Sequence, residues 1–424
     1  MLPEIKISLD LTSRQIWLSN ILAVSADVIM RFIFGSLTDK LGARILMGGV
    51  LMAASIPVAC TGLVNNLAGL CVLRLFIGMA GSSFVMCQCW ATRMFTKEIV
   101  GTANALVGGW GNVGGGVTQI VMGTALFPLF RDVFFKNAED PSEMAWRTVC
   151  VVPAVVAFTT GVIVIMTSED CPEGNYKQLI KEGRMIAVSA SSSLRQGAVN
   201  FNTWLLYIQY GCCFGVELTM NNAAASYFVD RFDLETTTAA AIASVFGFMN
   251  IFARGLGGYC SDKANEKIGM KGRIWVQLIL LLLEGICILI FAVMDSLWAA
   301  ILMLTLFSVF VQGAEGSTYG IVPYVNPVAP GAVAGIVGAG GPSGAIAFGM
   351  GFLFLTSTQH AYFLMGGLVI LSSFSCFLIN IKGHGGLLTK SKNDIPSQPL
   401  SVPKPDDDKV KELEDGNPSK EMDA

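Results

Sequence analysis

Residues 24–44 read VSADVIMRFIFGSLTDKLGAR, an apolar helical stretch with Arg31 well inside it and a terminal turn of Gly35, Asp39, Lys40, Gly42 and Arg44. Residues 246–263, FGFMNIFARGLGGYCSDK, repeat the pattern with Arg254, Gly258, Asp262 and Lys263. Both copies follow Arg-x3-Gly-x3-Asp-Lys. A cation inside a lipid-spanning helix is costly unless it faces a cavity and has a partner. Two such cations at equivalent places in two halves point to one anion site shared across a pseudo-two-fold axis. The competing reading is that each arginine pairs with a nearby carboxylate and only ties helices together.

Composition supports a membrane setting. The 424 residues are 53% hydrophobic and 14% charged, against about 25% charged in average soluble domains. The expected class is an all-α polytopic membrane protein in a lipid bilayer. A net charge of −3 gives no support to nucleic-acid binding. Most of the 46 glycines lie inside apolar segments, where they let helix backbones approach closely. The 11 cysteines show neither metal-ligand spacing nor a disulfide framework. His360 and His384 fall at or beyond the end of a span. No metal set, cofactor loop or nucleophile–base pair is legible, so an enzyme is not expected.

About 20 apolar residues cross the hydrocarbon core as a helix. On that measure spans fall near 14–36, 45–64, 67–93, 99–127, 147–167, 202–229, 237–260, 274–293, 296–322, 332–356 and 359–381. These eleven form an N-terminal bundle of five helices (1–167) and a C-terminal bundle of six (201–382), joined by a polar linker (168–200). Residues 383–424, rich in Pro, Ser, Lys and Asp, are expected to be a disordered tail. The Arg31 helix comes first in its half and the Arg254 helix second. A first transmembrane helix is therefore expected to be missing ahead of residue 1. Twelve Lys and Arg residues fall on the side of Asp39 and Asp262 and six on the other. That makes the first side, and the C-terminus, cytoplasmic. Trp146, Trp204, Trp275 and Trp298 fall at span ends, as interface anchors would.

Two stretches resemble signatures of the major facilitator superfamily: the turn from Gly35 through Asp39 and Lys40 to Arg44, and residues 74–84, RLFIGMAGSSF. In that superfamily the acidic residue of the turn caps a neighbouring helix and the basic residues latch the half-bundle. A third stretch, residues 108–122, GGWGNVGGGVTQIVM, is more specific. Gly111 and Gly115 are four apart and share a helix face where another helix can pack. Asn112 is a polar side chain amid the glycines. Residues 335–352, GIVGAGGPSGAIAFGMGF, echo it, with Gly340 and Gly344 four apart.

Taken with residues 84–90 (FVMCQCW), 215–218 (GVEL), Asn221, Asn222, 227–232 (YFVDRF), 252–255 (FARG) and 338–341 (GAGG), the chain resembles the nitrate/nitrite porter family of that superfamily. It looks most like the eukaryotic high-affinity nitrate transporters. The resemblance implies two pseudo-symmetric six-helix bundles, Arg31 and Arg254 as the substrate arginines, and contributions from Asn112, Gly111 and Gly341. It also implies nitrate or nitrite as substrate, symport with protons by alternating access, a plasma-membrane location and, in some relatives, a small single-pass accessory protein. Three departures stand out: Pro342 where the family usually has Asn, and Asp27 and Glu315 where relatives carry small residues. Glu217, Asp27 and Glu315 are the candidate proton carriers, and Phe34 and Tyr227 are aromatics that could sandwich a flat anion. A porter for another small anion, or a nitrate receptor without net transport, remains open at this point.

Overall fold

Thr12 starts the first long helix. Its side chain accepts from the Gln15 backbone N–H, and the Gln15 side chain accepts from the Thr12 N–H, a reciprocal cap. Helix α1 then runs over Ser13–Leu41 and ends at Gly42, whose φ of 86° favours glycine. The computed structural model describes residues 2–355 and 357–389. Ten further long helices follow: α2 (Ala43–Cys60), α3 (Leu67–Met94), α4 (Val100–Phe134), α5 (Pro141–Thr167), α6 (Phe201–Phe232), α7 (Thr238–Ile268), α8 (Met270–Phe291), α9 (Leu297–Val325), α10 (Pro330–Phe354) and α11 (Thr358–Phe374). All but α6 belong to the 10 helices long and apolar enough to cross a membrane. Helix α6 has 32 residues but carries Asn202, Gln209, Glu217, Asn221 and Asn222. The eleven expected spans are therefore all helices. Trp298 and Leu353 point outward, 80% and 75% exposed, as lipid-facing residues do. Trp146 is no interface anchor: it is fully buried, with the Arg147 guanidinium 4.5 Å from its ring centroid.

Helices α1–α5 form one bundle and α6–α11 the other. The bundles meet through two related helix pairs, α1 on α10 and α7 on α4. Both pairs are close enough to require glycine. A Cβ on Gly35 would come within 2.8 Å of the Gly335 Cα, and a Cβ on Gly258 within 2.5 Å of the Ala105 Cβ. Carboxylates of the repeated turn clamp the same end. Asp39 accepts from the N–H groups of Gly331 (2.8 Å) and Ala332 (2.9 Å), in the first turn of α10. Asp262 accepts from the N–H groups of Gly101 (3.0 Å) and Thr102 (2.6 Å), in the first turn of α4. Each carboxylate thus meets the positive end of a helix in the opposite bundle. The linker joins this clamp, since Ser193 Oγ donates to Asp39 at 2.5 Å. Asp170 accepts from the Arg44 N–H at 2.9 Å, and Arg44 Nη1 donates to the Ile165 carbonyl at 2.7 Å. Arg273 pairs with Asp262 at 2.7 Å, while Lys40 is exposed.

At the other end the glycines behave differently in the two halves. Gly340 and Gly344 lie against the backbone of α6 at Tyr207 and Gly211, the close approach expected from their spacing. Gly111 and Gly115 correct that expectation, because nothing lies within 4 Å of where their Cβ atoms would be. The reason is topological: α6 covers the glycine face of α10, and no helix among the described residues covers the matching face of α4. In the lower half of α4, Gly108 and Gly109 are the tightly packed pair, pressed by the Arg254 side chain. The first residues assigned to the tail also differ from expectation. Asn380–Ile381 pairs antiparallel with Gly385–Gly386, so residues 383–389 continue as a short hairpin. Residues 390–424 lie outside the described residues.

Asp39→Ala should lower the melting temperature of detergent-solubilised protein. The expected loss is about 1–2 kcal/mol, that of a helix cap. Lys40→Ala, one residue on but exposed, should leave the melting temperature unchanged.

Candidate anion site

The two repeated arginines come from opposite bundles and meet at the same place. Arg31 is 4% exposed and Arg254 is fully buried. The Arg31 guanidinium carbon lies 5.2 Å from the Phe84 ring centroid and 5.8 Å from that of Phe214. For Arg254 the distances are 5.3 and 5.8 Å. Phe84 belongs to α3 and Phe214 to α6, and their rings are stacked at 6.2 Å with planes 13° apart. One pair of aromatic faces therefore serves both cations, each bundle giving one arginine and one ring. Cation–π attraction of this kind contributes about 2 kcal/mol when desolvated. Tyr319 sets its ring edge-on to Phe84 (5.3 Å) and to Tyr210 (5.1 Å) and fixes the cluster from below. Gly341 is glycine because a side chain there would strike the Phe214 ring.

Each guanidinium also has its own carboxylate. Arg31 Nε donates to both oxygens of Asp27 at 3.0 Å, one helical turn back, and its Nη1 donates to the Gly338 carbonyl of α10 at 2.9 Å. Arg254 Nη1 pairs with Glu315 of α9, and its Nη2 donates to the Tyr210 hydroxyl at 2.8 Å. Gly108 leaves room for this guanidinium, since a Cβ there would sit 2.8 Å from Arg254 Nε. Arg254 Nε has no partner of its own. Nearby, Glu217 Oε1 accepts from Asn112 Nδ2 of α4 (3.1 Å) and from Asn250 Nδ2 of α7 (2.9 Å). Glu217 Oε2 and Glu315 Oε1 receive no donor, and the two carboxyls lie within hydrogen-bond reach of each other. Two cations are thus matched by two anions at contact, with a third carboxylate held between amides of the two bundles.

The structure brings together most of the residues singled out in the sequence: Arg31, Arg254, Asp27, Glu315, Glu217, Asn112 and Gly341. Asn112 reaches the cluster through Glu217 and not through either arginine. Gly111 is not in the cluster; it lies on the open face of α4. The aromatics Phe34 and Tyr227 are corrected. Phe34 lines an apolar cavity with Val50, Pro57 and Phe76. Tyr227 packs on Phe291 and Tyr362 and donates its hydroxyl to the Phe291 carbonyl at 3.2 Å. The rings at the arginines are Phe84 and Phe214, with Tyr210 and Tyr319. A signal for three of these groups existed: Tyr210, Phe214 and Glu217 recur at i, i+4 and i+7, one stripe of α6.

Comparison with known proteins identifies the fold and the family. Residues 1–349 match the Major Facilitator Superfamily. The chain is 35% identical over 393 residues to "High-affinity nitrate transporter 2.3" of Oryza sativa subsp. japonica, covering 92% of this chain and 75% of that one. It is 35% identical over 390 residues to "High affinity nitrate transporter 2.5" of Arabidopsis thaliana, covering 91% and 76%. Among solved structures, a Major Facilitator Superfamily transporter, FucP, in the outward conformation, superposes with a TM-score of 0.65 at 15% identity, covering 88% of this chain and 92% of that one. The structural likeness carries the fold, and the sequence identity carries more. This chain belongs to the major facilitator superfamily and, within it, to the nitrate/nitrite porter family.

Proposed function

We propose that this protein is a secondary active transporter that takes up nitrate across the plasma membrane by alternating access, in symport with protons. The observation that carries the proposal is the convergence of Arg31 and Arg254, from opposite bundles, on the paired faces of Phe84 and Phe214. Nitrate is flat, with three equivalent oxygens sharing one negative charge. A guanidinium offers parallel N–H donors in one plane and matches two oxygens at once. In this reading Arg31 and Arg254 grip the anion from two sides while the two phenylalanines flank its plane. Glu217 orients the Asn112 and Asn250 amides that close the site.

The carboxylates give the reading its coupling. With no anion bound, Asp27 and Glu315 occupy the guanidinium edges that nitrate needs. One nitrate brings one charge and so displaces one of them, and a displaced carboxylate in a buried, low-dielectric place is uncompensated unless it takes up a proton. Anion entry and proton uptake are then one event. Inward movement of an anion against an inside-negative potential costs about 2.3 kcal/mol per charge per 100 mV, so an accompanying proton is required to drive accumulation. The clamped end, with Asp39 and Asp262, is assigned to the cytoplasm. Release of the Gly35–Gly335 and Gly258–Ala105 contacts lets the bundles rock and open that end.

Arg31→Lys and Arg254→Lys test the site. Each should lower nitrate uptake roughly tenfold or more while the protein still reaches the membrane, since a lysine forfeits charge-assisted bonds of about 1.5–3 kcal/mol. Isotope uptake in cells with surface labelling reads both quantities. Full activity with lysine at both positions would make the arginines structural. Glu315→Gln tests the coupling in reconstituted vesicles. It should abolish nitrate accumulation driven by a pH gradient while slowing nitrate–nitrate exchange far less, and Glu217→Gln should keep part of that accumulation. An unchanged response to the pH gradient in Glu315→Gln would remove Glu315 from the mechanism. Absence of any flux in wild-type vesicles would favour a receptor.

A further inference from the structure

The C-terminal bundle buries an acid that the anion site does not use. Glu284 stands alone in the apolar run LLLLEGICIL of α8, residues 280–289. It is fully buried, and neither of its carboxyl oxygens has a hydrogen-bond partner. No arginine or lysine among the described residues pairs with it. An ionised carboxylate in such a place is strongly destabilising, whereas a neutral carboxylic acid is tolerable and keeps an O–H to give.

The register between α8 and α9 shows where Glu284 lies. Gln277 of α8 donates to Thr318 Oγ1 of α9 at 2.8 Å and accepts from Ser317. The helices are antiparallel neighbours, so Glu284, seven residues further along α8, comes level with Val311. Glu315 is one turn of α9 away, and the two carboxyls lie within electrostatic reach of each other. The titratable groups around Glu284 are Cys287 on its own helix, Cys212 and Cys213 on α6, and Glu315 on α9. Arg254 of α7 is committed to Glu315 and Tyr210, and Tyr362 of α11 packs on Phe291. A second feature points the same way. Asn250 Oδ1 and Gln312 Oε1 are also buried without a partner, and the Glu217 and Glu315 carboxyls, within hydrogen-bond reach of each other, receive no donor at Oε2 and Oε1. Every one of these atoms is an acceptor. A proton carried on a carboxyl supplies a donor to such acceptors.

We propose that Glu284 is a proton-holding site that loads Glu315 when an anion takes over Arg254. This rests on the reading of the arginine pair as a proton-coupled nitrate site. As Arg254 turns from Glu315 to the anion, the O–H bond of Glu284 breaks and an O–H bond forms on Glu315. The Glu284 carboxylate then takes a replacement proton from water on the side of the α8 C-terminal end, opposite the Asp262 clamp. One proton enters for each anion bound at Arg254, and no charge is left unpaired.

Glu284→Gln and Glu284→Leu, in the full chain reconstituted into vesicles, separate this role from packing. Nitrate–nitrate exchange should stay within about twofold of wild type in both, because Glu284 touches neither arginine. Accumulation driven by a pH gradient, and nitrate-evoked proton entry read by a trapped pH dye, should fall at least tenfold in both. Using two variants of different polarity keeps a readout if one inserts poorly. Wild-type coupling in either variant would overturn the assignment of Glu284 and leave the wider proton-symport reading standing. Accumulation that follows a sodium gradient in place of a proton gradient would overturn it too. A wild-type protein that shows no nitrate-evoked proton entry would instead bring down the symport reading itself.

Discussion

Two guanidiniums buried within reach of the same aromatic pair are the constraint around which this molecule is built. Each positive charge has left water, and the mutual repulsion of two cations adds to the loss. Four kinds of contact offset it: a carboxylate apiece, Asp27 and Glu315; the faces of Phe84 and Phe214; the Gly338 carbonyl; and the Tyr210 hydroxyl. Removing one member of such a set leaves a buried charge unmatched, which is worse than never having buried the pair. The helices are therefore not free to slide independently. Gly108 exists to let Arg254 pass, and Gly341 to let Phe214 lie flat. These two glycines are steric consequences of where the arginine and its ring must go.

The same repeat that delivers the arginines also delivers the clamp. Asp39 lies two turns beyond Arg31, and Asp262 two turns beyond Arg254. Each crosses to the first turn of a helix in the other bundle. Each arginine and the carboxylate at a helix start are thus linked through one helical segment, in α1 and in α7. A tilt of either helix that moves its arginine must also move its aspartate. The clamp rests on backbone N–H groups and glycine contacts, with buried Val85 and Val100 packed into the apolar cluster of the other bundle. Ser193, donating to Asp39 from the linker, ties the connection between the bundles to the same point.

The sequence made a good part of this legible. Charge rarity in apolar helices exposed Arg31 and Arg254, and periodicity in i, i+4 exposed the Gly340–Gly344 contact. The eleven spans could be read because lipid demands long apolar helices, a requirement with few exceptions. What could not be read is instructive. Gly111 and Gly115 have the same spacing as Gly340 and Gly344 but no neighbour, because spacing marks a face able to receive a helix and not the helix itself. Phe84 and Phe214 escaped notice among 26 phenylalanines. An aromatic beside a charge looks no different in sequence from one facing lipid, and the plausible choices, Phe34 and Tyr227, proved to be packing residues. Glu284 escaped for the opposite reason. A single acid in a leucine run reads as an anomaly, and only its lack of any partner in three dimensions gives it meaning.

The pairing of each arginine with a carboxylate can be read as an argument against anion binding, since the site is already neutral. The geometry argues otherwise. A structural ion pair gains from being saturated, with every donor and acceptor engaged. Here Arg254 Nε is left without a partner, and the Glu315 carboxyl faces that of Glu217, an acceptor beside an acceptor unless one of them holds a proton. A pair that leaves hydrogen-bonding capacity unused on both members is poised for exchange. The carboxylates of Asp27 and Glu315 resemble nitrate in the feature that matters, two coplanar oxygens sharing a negative charge. In the proposed cycle they hold the guanidiniums in the orientation an incoming anion needs, and one of them would leave as a neutral acid when it arrives. In that cycle one anion takes the place of one carboxylate, which leaves protonated, so the net charge of the site would stay constant and neither cation would be left bare.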